Sequence, residues 1–369
     1  MRRMAENIGR GHVSDFPASP SEVDVDWLEA QIRRAGGLTA GRLRTFRWAS
    51  FGTGQMGTNV RFEFDYEVEG DGPLTLIGKF PSTDEGSLQT AAAFDIYRKE
   101  VLFYRELLPL LDVRAPVAYA AEVDGTGTRF VLLLEDLGPT RTGDQLKGCT
   151  LEDARGAIRQ AAAFHAQTRN NRAVTDLVWL GNRPESIAQL QILYPQAQQI
   201  FCERYSDVFP DDLMTIAERF AARPDRWWGR KKPNPTLVHG DFRLDNMLFD
   251  VKGGAEPIAI VDWAGLQVES GLTDIGYFLG CGLDPEFRQA HETELLDLYC
   301  EEMTRRGSPM RVADIWDEYR IGALHGLATA IFSIAFVKRT ERGDENLLSM
   351  ARGAAQLALD HDSVGALLA

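Results

Sequence analysis

An acid, an amide and a second acid stand in this chain at spacings that suit phosphoryl chemistry. Residues 237–246 read Leu-Val-His-Gly-Asp-Phe-Arg-Leu-Asp-Asn, so Asp241 is followed five positions on by Asn246. A second apolar run, Ile258-Ala259-Ile260-Val261, ends in Asp262 and Trp263. Phosphoryl transfer asks little covalent help of a protein. It needs a carboxylate to orient an alcohol and accept its proton, and hard oxygens to hold magnesium on a triphosphate. Asp241 is the candidate base, and Asn246 and Asp262 are the candidate metal ligands. A free aspartate is a weak base in bulk water. Its work in such a site is to orient the hydroxyl and take the proton as the P–O bond forms. Arg243 either stabilises charge on the transferring phosphate or pairs with a neighbouring acid. His239 suits a brace of the loop through backbone hydrogen bonds. Asp274 suits a helix cap or a brace of the same loop.

Groups for a nucleotide lie upstream. Gly52-Thr53-Gly54-Gln55-Met56-Gly57 has the form G-x-G-x-x-G. A dinucleotide site needs a helix directly after these glycines. Here Thr58-Asn59-Val60-Arg61-Phe62-Glu63-Phe64 alternates like a strand instead. Gly52, Gly54 and Gly57 therefore fit a hairpin laid over phosphates. Lys79 sits in the following strand, where an ammonium can grip phosphates if a carboxylate holds it. Glu100 is the natural partner, with Glu85 and Asp95 also near in sequence.

These residues need elements to position them. Residues 1 to 18 read as a loose arm. Ser19-Pro20-Ser21-Glu22 predicts a helix start, with Trp27, Leu28 and Ile32 inward and a stop at Gly36-Gly37. Residues 43–135 read mostly as strands, with Val60, Phe62, Phe64 and Tyr66 on one face. Further strands fit 74–80, 117–123 and 130–134. One helix, about 89–109, carries Phe94, Tyr97, Val101, Tyr104 and Leu108. Helices fit 151–169, 185–205, 211–222, 272–282, 285–306, 311–338 and 345–367. The exception is 236–262, where two short strands flank the turn Lys252-Gly253-Gly254. His165, His325 and the pair Trp227-Trp228 read as core packing, and Arg230-Lys231-Lys232 as a solvated loop. The expected organisation is an arm and helix over 1–39, a nucleotide-binding lobe over 40–137, and a lobe with the catalytic loop and acceptor site over 138–369.

At 369 residues the chain suits two lobes rather than one small core. Its net charge of −14, without a compensating basic stripe, argues against a nucleic-acid partner. Cys149, Cys202, Cys281 and Cys300 have no C-x-x-C spacing and read as reduced thiols of a cytoplasmic protein. No uninterrupted apolar run suggests a membrane span, and no apolar core follows the basic first residues to make a secretory signal.

Taken together, residues from about 24 to 365 resemble the aminoglycoside phosphotransferase and choline kinase group. Within it they are most similar to bacterial relatives of the ecdysteroid kinase-like proteins. The finer match lies in Gly54-Gln55-Met56-Gly57, Lys99-Glu100-Val101-Leu102-Phe103-Tyr104, Leu133-Leu134-Glu135-Asp136-Leu137 and Gly143-Asp144-Gln145. Trp263 also matches, where protein kinases usually carry Phe. The resemblance implies an α+β, bilobal protein-kinase-like fold: a small five-stranded antiparallel N-lobe with one helix, and a larger, mostly helical C-lobe. It implies ATP, magnesium and transfer of the γ-phosphate to a hydroxyl of a small-molecule alcohol. It supports Glu100 as the partner of Lys79, and it assigns adenine pairing to the backbone around Glu135 and Leu137. Ala264 departs from the polar residue that relatives often carry there.

Three other readings compete. A protein kinase needs an activation segment, but only Trp263 to Leu272 separate Asp262 from the next helix, and no Ala-Pro-Glu follows. An NAD-dependent oxidoreductase fails on the strand after Gly57. A catalytically silent nucleotide-binding protein would tend to lose Lys79, Asp241 or a metal ligand, and all are present. The acceptor and the oligomeric state stay open.

Overall fold

The computed structural model describes residues 16–52, 56–181, 184–337 and 339–369. The chain forms two compact units. One comprises the described residues up to Glu106 together with Val117–Asp136, the other Leu107–Pro116 with Leu137–Ala369.

The first unit contains α1 (Val25–Arg34), β1 (Leu43–Ser50), β2 (Gly57–Tyr66), β3 (Thr75–Pro81), α2 (Glu85–Ala93), α3 (Ile96–Leu102), β4 (Ala118–Val123) and β5 (Phe130–Glu135). Its strands form one antiparallel sheet in the order β1-β2-β3-β5-β4. The alternation in β2 buries Val60, Phe62, Phe64 and Tyr66 against Leu28 and Ile32 of α1, while Arg61 and Asp65 stay exposed. Burying a side chain such as Phe62 stabilises the unit by roughly 1.5–3 kcal/mol.

Two expectations fail here. The first helix does not start at Ser19. Pro20–Glu22 is a single 3-10 turn, Val23 is drawn into the core, and Asp24 caps α1 by accepting the Trp27 N–H at 2.7 Å. The helix expected over 89–109 is two helices, because Asp95 takes a left-handed φ of 53° and separates α2 from α3. The break leaves Phe94 exposed and turns Tyr97 onto Phe130, ring centroids 4.4 Å apart.

The second unit contains β6 (Arg141–Thr142), α4 (Leu151–Thr168), α5 (Arg172–Thr175), α6 (Pro184–Tyr205), α7 (Asp211–Ala221), α8 (Pro224–Trp228) and β7 (Pro235–Val238). It continues with β8 (Met247–Asp250), the short turn α9 (Val251–Gly254), β9 (Glu256–Ile260), β10 (Gln267–Ser270), α10 (Leu272–Gly282) and α11 (Pro285–Arg305). It ends with α12 (Val312–Gly322), α13 (Leu324–Phe336), α14 (Glu341–Asp360) and α15 (Ser363–Leu368). A β6-β8-β9 sheet and a β7-β10 pair are set among the helices. The turn at Lys252-Gly253-Gly254 is present, with positive φ at all three residues.

The helix expected over 311–338 divides at Ala323, and that over 345–367 divides at His361–Asp362. The first break has a packing cause. Gly276 of α10 lies so close to the junction that a Cβ there would be 2.6 Å from the Ala323 nitrogen. Val312–Phe336 taken together is long and apolar enough to cross a membrane by length and composition alone. In the structure it is α12 and α13, with Leu324, Leu327, Ile331 and Ile334 in the core. Arg230-Lys231-Lys232 is not a solvated loop. Arg230 stacks on the buried Trp227 ring at 3.5 Å, and Arg230 and Lys232 both pair with Glu269, at 2.7 and 3.0 Å. All four cysteines are free thiols.

Candidate active site

The loop that carries Asp241 leaves β7 at Val238, opposite Gln267 of β10. Gly240 takes a φ of +78°, and a Cβ there would collide with the Gly265 carbonyl. Only glycine meets both demands. The loop's backbone groups are held by side chains from two other elements, and a third braces one of those side chains. Asp274, fully buried in the first turn of α10, accepts the N–H groups of His239 at 2.7 Å and Gly240 at 3.0 Å. His325 of α13 donates from Nε2 to the Gly240 carbonyl at 2.8 Å. His165 of α4 bonds to Asp274 at 3.2 Å and to the Tyr299 hydroxyl at 3.0 Å. His239 donates to the Val261 carbonyl at 3.1 Å and accepts the Asp241 N–H at 3.3 Å. Burial pushes the Asp274 carboxyl up, but His165 and the loop N–H groups outweigh it and hold the group below the usual carboxylate range.

The Asp241 carboxylate carries three donors. Oδ1 accepts Arg243 Nε at 2.9 Å and the Tyr277 hydroxyl at 2.8 Å, and Oδ2 accepts Asn246 Nδ2 at 2.8 Å. Burial raises its pKa, yet the Arg243 charge and the Tyr277 hydroxyl win and bring it to about 2. Arg243 also reaches Asp245 at 2.7 Å. Close to two acids, it is held firmly protonated, with Asp241 the larger influence. The Asp241 side chain remains 30% exposed, so the charge faces solvent on one side.

Asn246 and Asp262 flank the open end of the β8–β9 strand pair. Met247 pairs with Ile260, and the Val261 N–H continues the ladder to the Asn246 carbonyl at 3.0 Å. Asp262 follows with a left-handed φ of 65°. Its neighbour Trp263 is fully buried and packs on His239, ring centroids 4.6 Å apart. The Asn246 amide nitrogen is committed to Asp241, to its carbonyl at 2.9 Å as well as to Oδ2. Its carbonyl Oδ1 is therefore the side-chain oxygen left for a cation. Carboxylate, carbonyl and phosphate oxygens are the donor set magnesium prefers, with few protein ligands needed.

In the first unit Lys79 Nζ lies 2.6 Å from Glu100 Oε1, with Glu100 nearly fully buried. Neither Glu85 nor Asp95 takes that place. Glu85 begins α2, and Asp95 faces Arg98 at 3.8 Å. Gly52 has a φ of +73°. Gly57 lies so near β3 that a Cβ would sit 2.8 Å from the Phe80 carbonyl. Gly54 lies outside the described residues. Tyr97, which sequence reasoning saw only as packing, donates to the Met56 carbonyl at 2.6 Å, just before β2 begins. Glu135 ends β5, and its carboxylate accepts the Val117 N–H at 3.2 Å. The Leu137 carbonyl accepts the Lys252 N–H at 3.1 Å. The Leu137 N–H has no acceptor among the described residues.

Sequence reasoning missed Tyr277 entirely and took His325 for packing alone. A signal for Tyr277 was present: it follows Asp274 by three residues on one helix, which puts both on the same face. Nothing local marks His325, whose partner Gly240 is distant in sequence.

The profile of the ecdysteroid kinase-like family matches residues 53–308. Among solved structures, choline kinase from Cryptosporidium parvum Iowa II is 10% identical, with a TM-score of 0.56 over 89% of this chain and 95% of that one. A protein described as a candidate aminoglycoside phosphotransferase from Ralstonia eutropha JMP134 is 17% identical, with a TM-score of 0.53 over 92% and 98%. Aminoglycoside 2′-phosphotransferase-IIIa, in its GDP complex, is 15% identical, with a TM-score of 0.52 over 89% and 98%. At these identities the likeness is one of fold, the bilobal α+β protein-kinase-like fold. No curated protein matches the chain by sequence.

Proposed function

Because the chain belongs to the ecdysteroid kinase-like family of kinase-type phosphotransferases, we propose that it moves the γ-phosphate of ATP to a hydroxyl of a small molecule, with Asp241 as the base. The observation that carries the reading is the state of Asp241. Its carboxylate is 30% exposed and is locked by Arg243, Tyr277 and Asn246. An ionised carboxylate offers about four lone pairs, and Asp241 keeps one of them open on Oδ2. An acceptor hydroxyl donates there and is held with its oxygen aimed at the γ-phosphorus.

In the step, the acceptor's oxygen forms a bond to the γ-phosphorus while the bond to the β,γ-bridging oxygen breaks. The acceptor's proton passes to Asp241, and the products are a phosphate ester and ADP. Arg243, paired with Asp241 and Asp245, serves by holding the base ionised and oriented. Lys79, steadied by Glu100, grips the α- and β-phosphates, with the backbone around Gly52 and Gly57 alongside. The Leu137 N–H offers adenine a donor, close to Glu135 in sequence. Asn246 Oδ1 and Asp262 would hold magnesium, which when bound neutralises charge on the triphosphate.

The test is magnesium-dependent ADP release from ATP with pools of hydroxylated small molecules. Asp241→Asn should lower kcat at least about 100-fold and leave ATP binding intact. Turnover at the wild-type level in that variant would remove Asp241 as the base.

A further inference from the structure

Asp241 is held from outside its own loop. Arg243 and Asn246 lie within five residues of it, but Tyr277 comes from α10 and is fully buried. Asp274, one helical turn earlier on α10, holds the loop backbone, so one helix sets both the backbone and the carboxylate. The Tyr277 ring is itself fixed. His325 meets it edge-on, 5.2 Å between centroids at 84°, while bonding to the Gly240 carbonyl. The two oxygens of Asp241 are left unequal. Oδ1 has two donors, Arg243 and Tyr277, and is filled. Oδ2 has one, Asn246, among the described residues.

We propose that Tyr277 is a positioning residue for phosphoryl transfer: its hydroxyl fills Asp241 Oδ1 and so directs the acceptor's hydroxyl to Oδ2. The inference rests on the reading of Asp241 as the base. In the step it serves, the acceptor's O–H bond breaks and its proton goes to Oδ2. The new O–P bond forms as the γ-phosphorus leaves the bridging oxygen of ADP. Without the phenol hydroxyl, Oδ1 regains a lone pair, and the acceptor can bind either oxygen. Only one of those placements is aligned for attack, so productive complexes become fewer.

The experiment compares wild type, Tyr277→Phe and Tyr277→4-aminophenylalanine, which restores a donor at the same position. Magnesium-dependent ADP release is measured with the pools of hydroxylated small molecules and with water alone as acceptor. Tyr277→Phe should lower kcat about 10- to 100-fold, the effect of losing one hydrogen bond to a charged group. KM for ATP should not move, and 4-aminophenylalanine should recover most of the rate. In an Asp241→Asn background, Tyr277→Phe should have almost no further effect, because the two act as a unit. A Phe variant that keeps wild-type kcat, or a 4-aminophenylalanine variant no better than Phe, overturns the role of Tyr277 and leaves Asp241 as the base. Wild type that releases no more ADP than Asp241→Asn under every condition overturns the reading of Asp241, and this inference with it.

Discussion

At the scale of single residues, the site is a contest between burial and partners. Burial alone would push Asp241 up and make it a poorer anion. Arg243, with the Tyr277 hydroxyl, reverses that and brings the group to about 2, so it stays ionised at any ordinary assay pH. Wild-type kcat/KM should therefore show no acid-side loss that traces to Asp241. Arg243→Gln removes the opposing charge, so the Asp241 pKa should rise and the acid limb should move up by about one to three pH units. A pH–rate profile of the two proteins checks this, and an unshifted acid limb would mean that Arg243 does not set the state of Asp241. The residues of this contest were legible as types and spacings. Asp241, Arg243 and Asn246 stood out in the sequence as candidates, and the structure joins them by hydrogen bonds. Tyr277 did not, because its hydroxyl acts on a partner that only folding brings near.

At the scale of elements, α10 does most to fix the loop. All its residues from Leu272 to Gly282 are buried. It presents Asp274 and Tyr277 to the loop on one side and Gly276 to the α12–α13 junction on another. Gly276→Ala would force a Cβ to within 2.6 Å of the Ala323 nitrogen, so α10 must shift. The expected cost is about 1–3 kcal/mol of stability, read as a lower urea midpoint, with a fall in kcat as Asp274 and Tyr277 move with the helix. An unchanged midpoint would show that the junction yields instead. The bounds of α10 were read correctly from its apolar run between Gly271 and Gly282. The division of α12 from α13 was not, because its cause is this contact with α10 and not a breaker in its own sequence. The β7–β10 pair was missed for a similar reason. Four residues on each side carry little periodicity, and their pairing is a long-range event.

At the scale of the whole molecule, each unit carries a buried apolar cluster within itself. The first is built on the β2 stripe and α1, the second on α6, α7, α13 and α14. A ligand that binds only the folded chain stabilises it by mass action. With ATP and magnesium at about a hundredfold excess over Kd, the gain should be about 2.7 kcal/mol, seen as a raised Tm. Lys79→Ala should lose most of that shift, and Asp262→Ala the part that depends on magnesium. A full shift in Lys79→Ala would place the triphosphate elsewhere.

The sequence by itself determined the chemistry on offer and the class of fold. Glycines before an alternating strand, a lysine in the next strand and an H-G-D-x-x-x-x-N loop before a second acid are local patterns. Local patterns survive in one dimension because backbone periodicity and loop length set them. Tertiary structure alone decided which oxygen of Asp241 is left open, where the helices break, and that Asp274, Tyr277 and His325 converge on one loop. Those outcomes come from hydrogen bonds and close packing between residues far apart in the chain, where distance and direction in space, which sequence does not carry, determine what meets.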